Sequence, residues 1–216
     1  MYDNFADRVK SLQGDDPRYP AALRAFLGPD APKAVAAMGD LALLDRRPLA
    51  IFCSSRCPGI LIVQASDLAH ALRDRGAAVI GAFHTPVERA GLEILLGGAG
   101  PLIVCPARGM YKIIPGEFHK PLGDGQLLLL SPFDETERRV TAELAAARNR
   151  FVAALAERVL FVHAAPGGRT EVLAREVIGW GKPVHTLAHP ANAALMDLGA
   201  RILSDWDGFC VGEPAQ

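Results

Sequence analysis

One stretch decides the fold: VLFVHAAPGGRTE, residues 159–171. It begins with four apolar residues, which are typical of a buried strand, and it ends with a Thr-Glu pair, which is typical of the first turn of a helix. The two glycines between them allow a tight turn in which the backbone comes close to a ligand. A strand, a glycine turn and a helix in this order predict one unit of an α/β sheet.

The same alternation extends through most of the chain. Short apolar runs predict strands at 49–53, 77–80, 102–105, 127–130, 159–162 and 183–187, with a short edge strand at 202–203. Apolar residues at steps of three and four predict helices at 61–72, 87–96, 140–155, 170–180 and 191–198. Continuous apolar strands separated by helices favour a mostly parallel sheet that is covered on both faces. We therefore expect an α/β, Rossmann-like three-layer domain.

The first 45 residues differ from the rest. Prolines at 20, 29 and 32 interrupt short helical pieces, and no apolar run compares with those of the later strands. We expect residues 1–45 to form a small helical N-terminal cap and residues 46–216 to form the Rossmann-like domain.

Composition limits the function. The 216 residues include 23 Lys and Arg against 24 Asp and Glu, a net charge of −1, so a wholly basic nucleic-acid-binding surface is excluded. Any nucleic-acid contact must come from a local patch. No apolar stretch approaches the ~20 residues of a membrane helix, and the N-terminus lacks the apolar core of a signal peptide. We expect a cytoplasmic protein without membrane contact.

Ligands of open α/β sheets bind beyond the carboxyl ends of the strands. The loops expected at this edge of the sheet are 54–60, 81–87, 106–118, 131–136, 163–170 and 188–192. The strongest local signal among them is the turn with Gly167, Gly168, Arg169 and Thr170, because glycine amides, a guanidinium and a helix N-terminus together suit an anion such as phosphate. The alternative is a tight strand–helix turn in which Thr170 is an ordinary cap.

Two further groups carry candidate phosphate ligands. Ser55 and Arg56 follow the first strand, where a dinucleotide fold has its first phosphate-binding turn, but the GxGxxG pattern is missing. They either hold one phosphate or form a surface loop. Arg148, Asn149 and Arg150 lie on a helix, with the two arginines on opposite flanks of its apolar face. On spacing alone, this triplet favours a solvated helix face.

No catalytic or metal-binding set is evident. The six histidines are scattered, and Glu88 and Glu171 are the only carboxylates that we consider as general bases. The four cysteines lack the spacing of a zinc site, and buried apolar roles are favoured for Cys53 and Cys105; the others are Cys57 and Cys210. We predict no metal and no cofactor, and the sequence favours a binding protein over an enzyme.

Several pieces, in order, resemble the DNA-processing protein A family of single-strand DNA-binding recombination mediators. They are DPRYPAAL at 16–23, MGDL at 38–41, LAIFCSSR at 49–56, the segment 68–81, RNR at 148–150, GGRT at 167–170, GKPV at 181–184 and LGA at 198–200. The resemblance covers residues 15–203. It does not extend to the winged-helix domain that many members carry.

This resemblance implies a non-enzymatic protein of DNA uptake, natural transformation and recombination, with a homodimer and a recombinase partner. It also implies that the candidate residues line one phosphate-binding pocket for single-stranded DNA; they are Ser55, Arg56, Arg148, Asn149, Arg150, Gly167, Gly168, Arg169 and Thr170. The chain departs from the family where Ser54 replaces the glycine of "GSR" and where GAFHTPVE, residues 81–88, replaces "SGxAxGID".

Two alternatives remain open. The same fold suits a protein that binds or senses a nucleotide or sugar phosphate. The PGG-x-T core is also similar to the "PGGxGTxxE" motif of the lysine-decarboxylase-like phosphoribohydrolases. Here one glycine is missing and Glu171 directly follows Thr170, so the carboxylate of that motif is displaced around the helix.

Overall fold

One sheet of nine strands runs through the part of the chain that the computed structural model describes, residues 9–204. The strands are β1 (Lys10–Gln13), β2 (Ala34–Gly39), β3 (Leu49–Cys53), β4 (Val79–Gly81), β5 (Leu102–Val104), β6 (Leu127–Ser131), β7 (Arg158–His163), β8 (Val184–Thr186) and β9 (Arg201–Ile202). All strands predicted from apolar runs are present, including the short edge strand. The ends of the expected cap and of the expected Rossmann-like domain, residues 1–8 and 205–216, lie outside the described residues.

Within the described residues, seven α-helices connect these strands. They are α1 (Ala21–Leu27), α2 (Gly59–Asp74), α3 (Pro86–Leu96), α4 (Gly116–Gly123), α5 (Ala142–Leu155), α6 (Arg169–Gly179) and α7 (Ala193–Asp197). Short 3-10 helices cover Gly28–Asp30, Leu41–Arg46 and Pro190–Asn192. Within residues 9–204, no helix has the length and apolar character needed to cross a membrane.

The strand order is β1-β2-β6-β5-β4-β3-β7-β8-β9, and β3 to β9 run parallel. One apolar cluster packs α1, α5, α6 and α7 on one face, through residues such as Leu23, Phe151, Val177 and Leu195. A second cluster packs α2, α3 and α4 on the other face. The expected three-layer, Rossmann-like architecture is confirmed.

The N-terminal segment differs from the helical cap that we expected. Besides α1 and its 3-10 turns, it contributes β1 and β2, which extend the sheet antiparallel next to β6. The sequence KSLQ has no β-branched or aromatic residue and AVAAMG has only one, Val35, so the extended form of both depends on pairing within the sheet. The boundary of a separate unit at residue 45 stays a prediction.

The point where the chain reverses its direction across the sheet lies between β3 and β7. From β3 the chain proceeds through β4 and β5 to β6, and it then returns to β7 on the other side of β3. Such a switch point opens a crevice at the carboxyl ends of the strands, where ligands of this fold class bind. The loop after β3 and the loop between β7 and α6 meet there.

Candidate functional site

The two loops at the switch point are joined by Ser54. Its hydroxyl accepts a hydrogen bond from the Ala165 amide at 2.9 Å, and its own amide donates to the carbonyl of His163 at 2.9 Å. Ser54 is buried, whereas the next two residues, Ser55 and Arg56, are exposed. The serine that replaces the family's glycine therefore fastens β3 to the start of the glycine turn.

The glycine turn has the backbone that only glycine adopts readily. Gly167 has a φ of +68°, in the left-handed region, and a Cβ on Gly168 would lie 2.9 Å from the Ala165 carbonyl oxygen. The Gly167 amide donates to the Glu171 carboxylate at 2.8 Å, and the Gly168 amide donates to the Ala165 carbonyl at 2.9 Å. We expected the Gly167 and Gly168 amides to face a phosphate, but both donate hydrogen bonds to groups of the protein itself.

The hydrogen-bond donors that stay available follow Gly168, in the first turn of α6. Gly168 occupies the cap position of α6 without a side-chain hydrogen bond, so the alternative in which Thr170 caps the helix is wrong. Arg169 and Thr170 begin the first turn, where backbone N–H groups have no partner within the helix. Arg169 is exposed and Thr170 is half-buried. The first turn of α6 offers these amides, a hydroxyl and a guanidinium to solvent.

Arg56 and Arg169 carry the available positive charge of the switch point. Neither forms an ion pair with any residue between 9 and 204. Hydrogen bonds at the start of α5 lower the pKa of Glu143, and the charge of Arg169 adds to that effect, so this carboxylate is near Arg169. Guanidiniums are planar donors that suit phosphate groups.

Arg148 points to a different part of the sheet edge. Its side chain is buried, its Nε donates to Asn149 Oδ1 at 2.8 Å, and a terminal nitrogen donates to the Cys105 carbonyl at 3.2 Å. Cys105 directly follows β5, which β4 and β3 separate from β7. Three strand spacings amount to about 14 Å, so Arg148 and the glycine turn form separate regions.

Arg150 has a structural role. Its Nε donates to the Glu176 carboxylate on α6 at 2.7 Å, and a terminal nitrogen contacts Asp30 at 3.1 Å. These ion pairs tie α5 to α6 and to the N-terminal segment. The opposite flanks predicted for the two arginines are confirmed, but their convergence on one pocket is not seen. Asn149 is half-buried and orients Arg148.

A cleft of about 740 Å³ lies at the carboxyl ends of β4 and β5, between α3 and α4. We call it the β4–β5 cleft. Arg148 is the only predicted site residue that lines it. Its other lining residues include Phe83, His84, Arg89, Leu92, Glu93, Val104, Arg108, Tyr111, Glu117, Phe118 and Val140. Sequence reasoning selected the loops 81–87 and 106–118 by their position after strands but found no motif in them, because these residues are brought together only by the fold.

Glu88 and Glu171, the two carboxylates considered as general bases, accept hydrogen bonds from backbone amides. Glu88 is buried and accepts hydrogen bonds from the amides of Cys53 at 3.0 Å, His84 at 2.9 Å and Thr85 at 3.4 Å, which links β3 to the start of α3. Glu171 accepts from Gly167 and also contacts Arg175 at 3.1 Å. Both carboxylates therefore hold the backbone of the loops beside them.

The described cysteines act as packing groups. Cys53 and Cys105 are buried, as expected, and burial raises the pKa of Cys105 to about 12. Cys57 is half-buried, and Cys210 lies outside the described residues. Among residues 9–204, no three His, Cys, Asp or Glu side chains cluster in a way that suits a metal ion.

Comparison with known families and structures gives a consistent match. The model of the family described as DNA recombination-mediator protein A matches residues 10–207. DNA processing protein A from Streptococcus pneumoniae superposes with a TM-score of 0.77 at 19% identity, over 98% of this chain and 77% of that one. No curated protein matched the sequence.

Two further solved structures share the fold. DNA processing protein A from Helicobacter pylori, whose structure concerns its single-stranded DNA-binding mode, has a TM-score of 0.74 at 23% identity, over 94% of both chains. The molybdenum cofactor carrier protein from Chlamydomonas reinhardtii has a TM-score of 0.51 at 17% identity, over 75% of this chain and 93% of that one.

Proposed function

The chain belongs to the DNA recombination-mediator protein A family, and from this premise we propose that it binds single-stranded DNA during DNA uptake and recombination. The family match over residues 10–207 carries the proposal. The fold is shared with a protein from Helicobacter pylori that was solved for its single-stranded DNA-binding mode. The available guanidiniums at the switch point give this function a physical basis.

We place the sugar–phosphate backbone on a surface that we call the strand-end rim: Ser55, Arg56, Arg169 and Thr170. Arg56 and Arg169 neutralise phosphates, and the hydroxyls of Ser55 and Thr170 and the first-turn amides of α6 donate hydrogen bonds. Gly167 and Gly168 shape the turn that presents α6. Asn149 and Arg150 position their neighbours, and Arg148 belongs to the β4–β5 cleft.

A binding titration tests this function. Fluorescence anisotropy with a labelled 20-nucleotide oligo-dT at low salt is expected to show saturable binding. The double variant Arg56→Ala/Arg169→Ala is expected to bind at least tenfold more weakly. The matched control is Arg46→Ala/Arg201→Ala, which removes two exposed arginines at the amino ends of β3 and β9. Absence of binding to the unaltered protein, or equal binding by both double variants, overturns the proposal.

The assembly and location of the protein complete the proposal. We propose a cytoplasmic homodimer with a recombinase partner, on the strength of the family resemblance. Light scattering coupled to gel filtration tests the dimer, which has twice the 23.0 kDa mass of one chain. A single-chain mass at all concentrations contradicts it.

A further inference from the structure

Two cysteine side chains meet at the loop that leaves β3, and the proposed DNA site does not use them. Cys53, the last residue of β3, is 2% exposed, and Cys57 is half-buried. Both pack into the apolar cluster that holds α2, α3 and α4 on the sheet. The pKa of each thiol is affected by a side-chain hydrogen bond to the other, so the two sulfur atoms are neighbours.

This contact requires the loop to fold back on itself. An extended chain of four residue steps spans about 14 Å, which is too far for a hydrogen bond between two thiols. Residues 54–58 form neither helix nor strand, and bends at Ser55 and Arg56 bring Cys57 back towards the end of β3. Cys105 follows β5, two strand spacings or about 10 Å from β3, so it is not the partner of either thiol.

The two thiols have different environments. Burial raises the pKa of both, while the hydrogen bond between them raises the pKa of Cys53 further and lowers that of Cys57. These opposite effects are those of a Cys53 thiol that donates its proton to the Cys57 sulfur. The Cys57 thiol in turn donates to the Pro58 carbonyl at 3.7 Å. Cys57 is therefore the thiol that solvent reaches and that loses its proton first, and the thiolate is the form that reacts with oxidants.

From this pair we propose that Cys53 and Cys57 are a redox modification site, at which a peroxide forms a reversible disulfide. The Cys57 thiolate attacks one oxygen of hydrogen peroxide and the O–O bond breaks. The hydroxide that leaves takes up the proton that Cys57 lost, which gives water and a sulfenic acid. The Cys53 sulfur then attacks the Cys57 sulfur, and the hydroxyl group leaves with the Cys53 proton as a second water. Two thiols are thus oxidised to one disulfide, and the peroxide is reduced to water.

The disulfide acts on the loop that bears Arg56, a member of the strand-end rim. The two thiols pack on the face of the sheet that carries α2, whereas Arg169 begins α6, which packs on the opposite face. Closing the bond draws the loop towards α2 and away from Arg169. We therefore expect the disulfide to weaken DNA binding by the rim. This regulation rests on the proposed function, whereas the disulfide itself does not.

Peptide mapping of the 216-residue chain tests the disulfide. Trypsin cuts after Arg56, so the bond joins the peptides 47–56 and 57–73, which otherwise separate. After treatment with hydrogen peroxide and alkylation of the remaining thiols, mass spectrometry is expected to detect this joined pair, and dithiothreitol is expected to release it. The proposal is overturned if peroxide leaves the two peptides separate, or if it joins either of them to the peptide of Cys105 or Cys210.

Two variants serve as matched controls for the peptide map. Cys57→Ser removes the half-buried thiol and is expected to abolish the joined pair. Cys210→Ser removes a thiol outside the described residues and is expected to keep it. Circular dichroism establishes that each variant is folded, and the map of the unaltered protein carries the test if Cys57→Ser is not. A joined pair that Cys210→Ser loses contradicts the assignment.

Fluorescence anisotropy with the labelled oligo-dT tests the regulation. Oxidation is expected to weaken binding at least threefold, and dithiothreitol is expected to restore it. Cys57→Ser should bind equally before and after peroxide, which excludes oxidation elsewhere as the cause. A disulfide that forms without a change in affinity overturns the regulation. Absence of binding by the reduced protein overturns the proposed function and the regulation with it, while the peptide map decides the disulfide separately.

Discussion

Glu171 places a carboxylate beside the glycine turn. This carboxylate accepts a hydrogen bond from the Gly167 amide and contacts Arg175. The contact stabilises the turn, and the negative charge of Glu171 opposes the phosphate that we propose to bind at the first turn of α6.

Removing this charge is therefore expected to strengthen DNA binding. Glu171→Ala and Glu171→Gln should each raise the affinity for oligo-dT several-fold, measured by anisotropy. Glu171→Ala should also lower the free energy of unfolding by about 1 kcal/mol, because it leaves the Gly167 amide without its partner. Asp45→Ala, which alters an exposed carboxylate before β3, is the control. Weaker binding by both Glu171 variants would show that the carboxylate supports the site.

Arg150 was a candidate phosphate ligand, but in the structure its side chain forms ion pairs that join neighbouring elements. Arg150→Ala is expected to reduce the free energy of unfolding in urea by about 1 kcal/mol, because its two ion pairs are partly exposed. Its affinity for oligo-dT should stay within twofold of the unaltered protein. A tenfold loss of affinity for oligo-dT without loss of stability would show that Arg150 contacts DNA.

The sequence alone could not show that Arg148 and Arg150 have different roles. The helical period predicted that they leave α5 on opposite flanks, and this is what the structure shows. Apart from Asn149, however, their partners lie 43, 26 and 120 residues away along the chain. Contacts of such separation depend on the packed sheet, and no local pattern indicates them.

Among the strands and helices, those with a strong apolar pattern were predicted from the sequence and those with a weak pattern were missed. The strands with continuous apolar runs and the helices with regular apolar spacing were predicted within a few residues. β1 and β2 were missed because their larger apolar residues, Leu12, Val35 and Met38, stand among small and polar residues and form no continuous run. α4 was missed because it begins and ends with glycine and contains Pro121, and these residues disfavour helices in isolation.

The end of α5 carries a pH-dependent contact. Lys182 donates to the carbonyls of Ala154 and Ala156, and its ammonium lies 4.1 Å from the ring centre of Phe26 on α1. Burial lowers the pKa of Lys182 from 10.5 to about 8. Between these values the unfolded chain holds a proton that the folded protein has lost.

The contribution of Lys182 to the free energy of unfolding is therefore expected to increase as the pH rises from 8 to 10.5. Urea unfolding across this range should show a shallower rise in Lys182→Met than in the unaltered protein. The control Lys33→Met, which alters an exposed lysine, should keep the original slope. Parallel curves for the two variants would mean that Lys182 keeps its ordinary pKa in the folded state.

For the whole molecule, the net charge of −1 is compatible with DNA binding because the charge is unevenly distributed. Some arginines of the described chain are paired with carboxylates, as in Arg18–Asp16 and Arg47–Glu157. Arg56 and Arg169 are unpaired within that part of the chain and lie on adjoining loops. We therefore expect the proposed DNA binding to be local and to involve few phosphates.

The dependence of oligo-dT affinity on salt tests the strand-end rim most directly. Each phosphate contact to single-stranded DNA contributes about −0.7 to the slope of log K against log salt. Arg56→Ala/Arg169→Ala should therefore have a slope shallower by about 1.4 than the unaltered protein, while Arg46→Ala/Arg201→Ala keeps the original slope. Equal slopes for all three proteins would contradict phosphate binding by the rim.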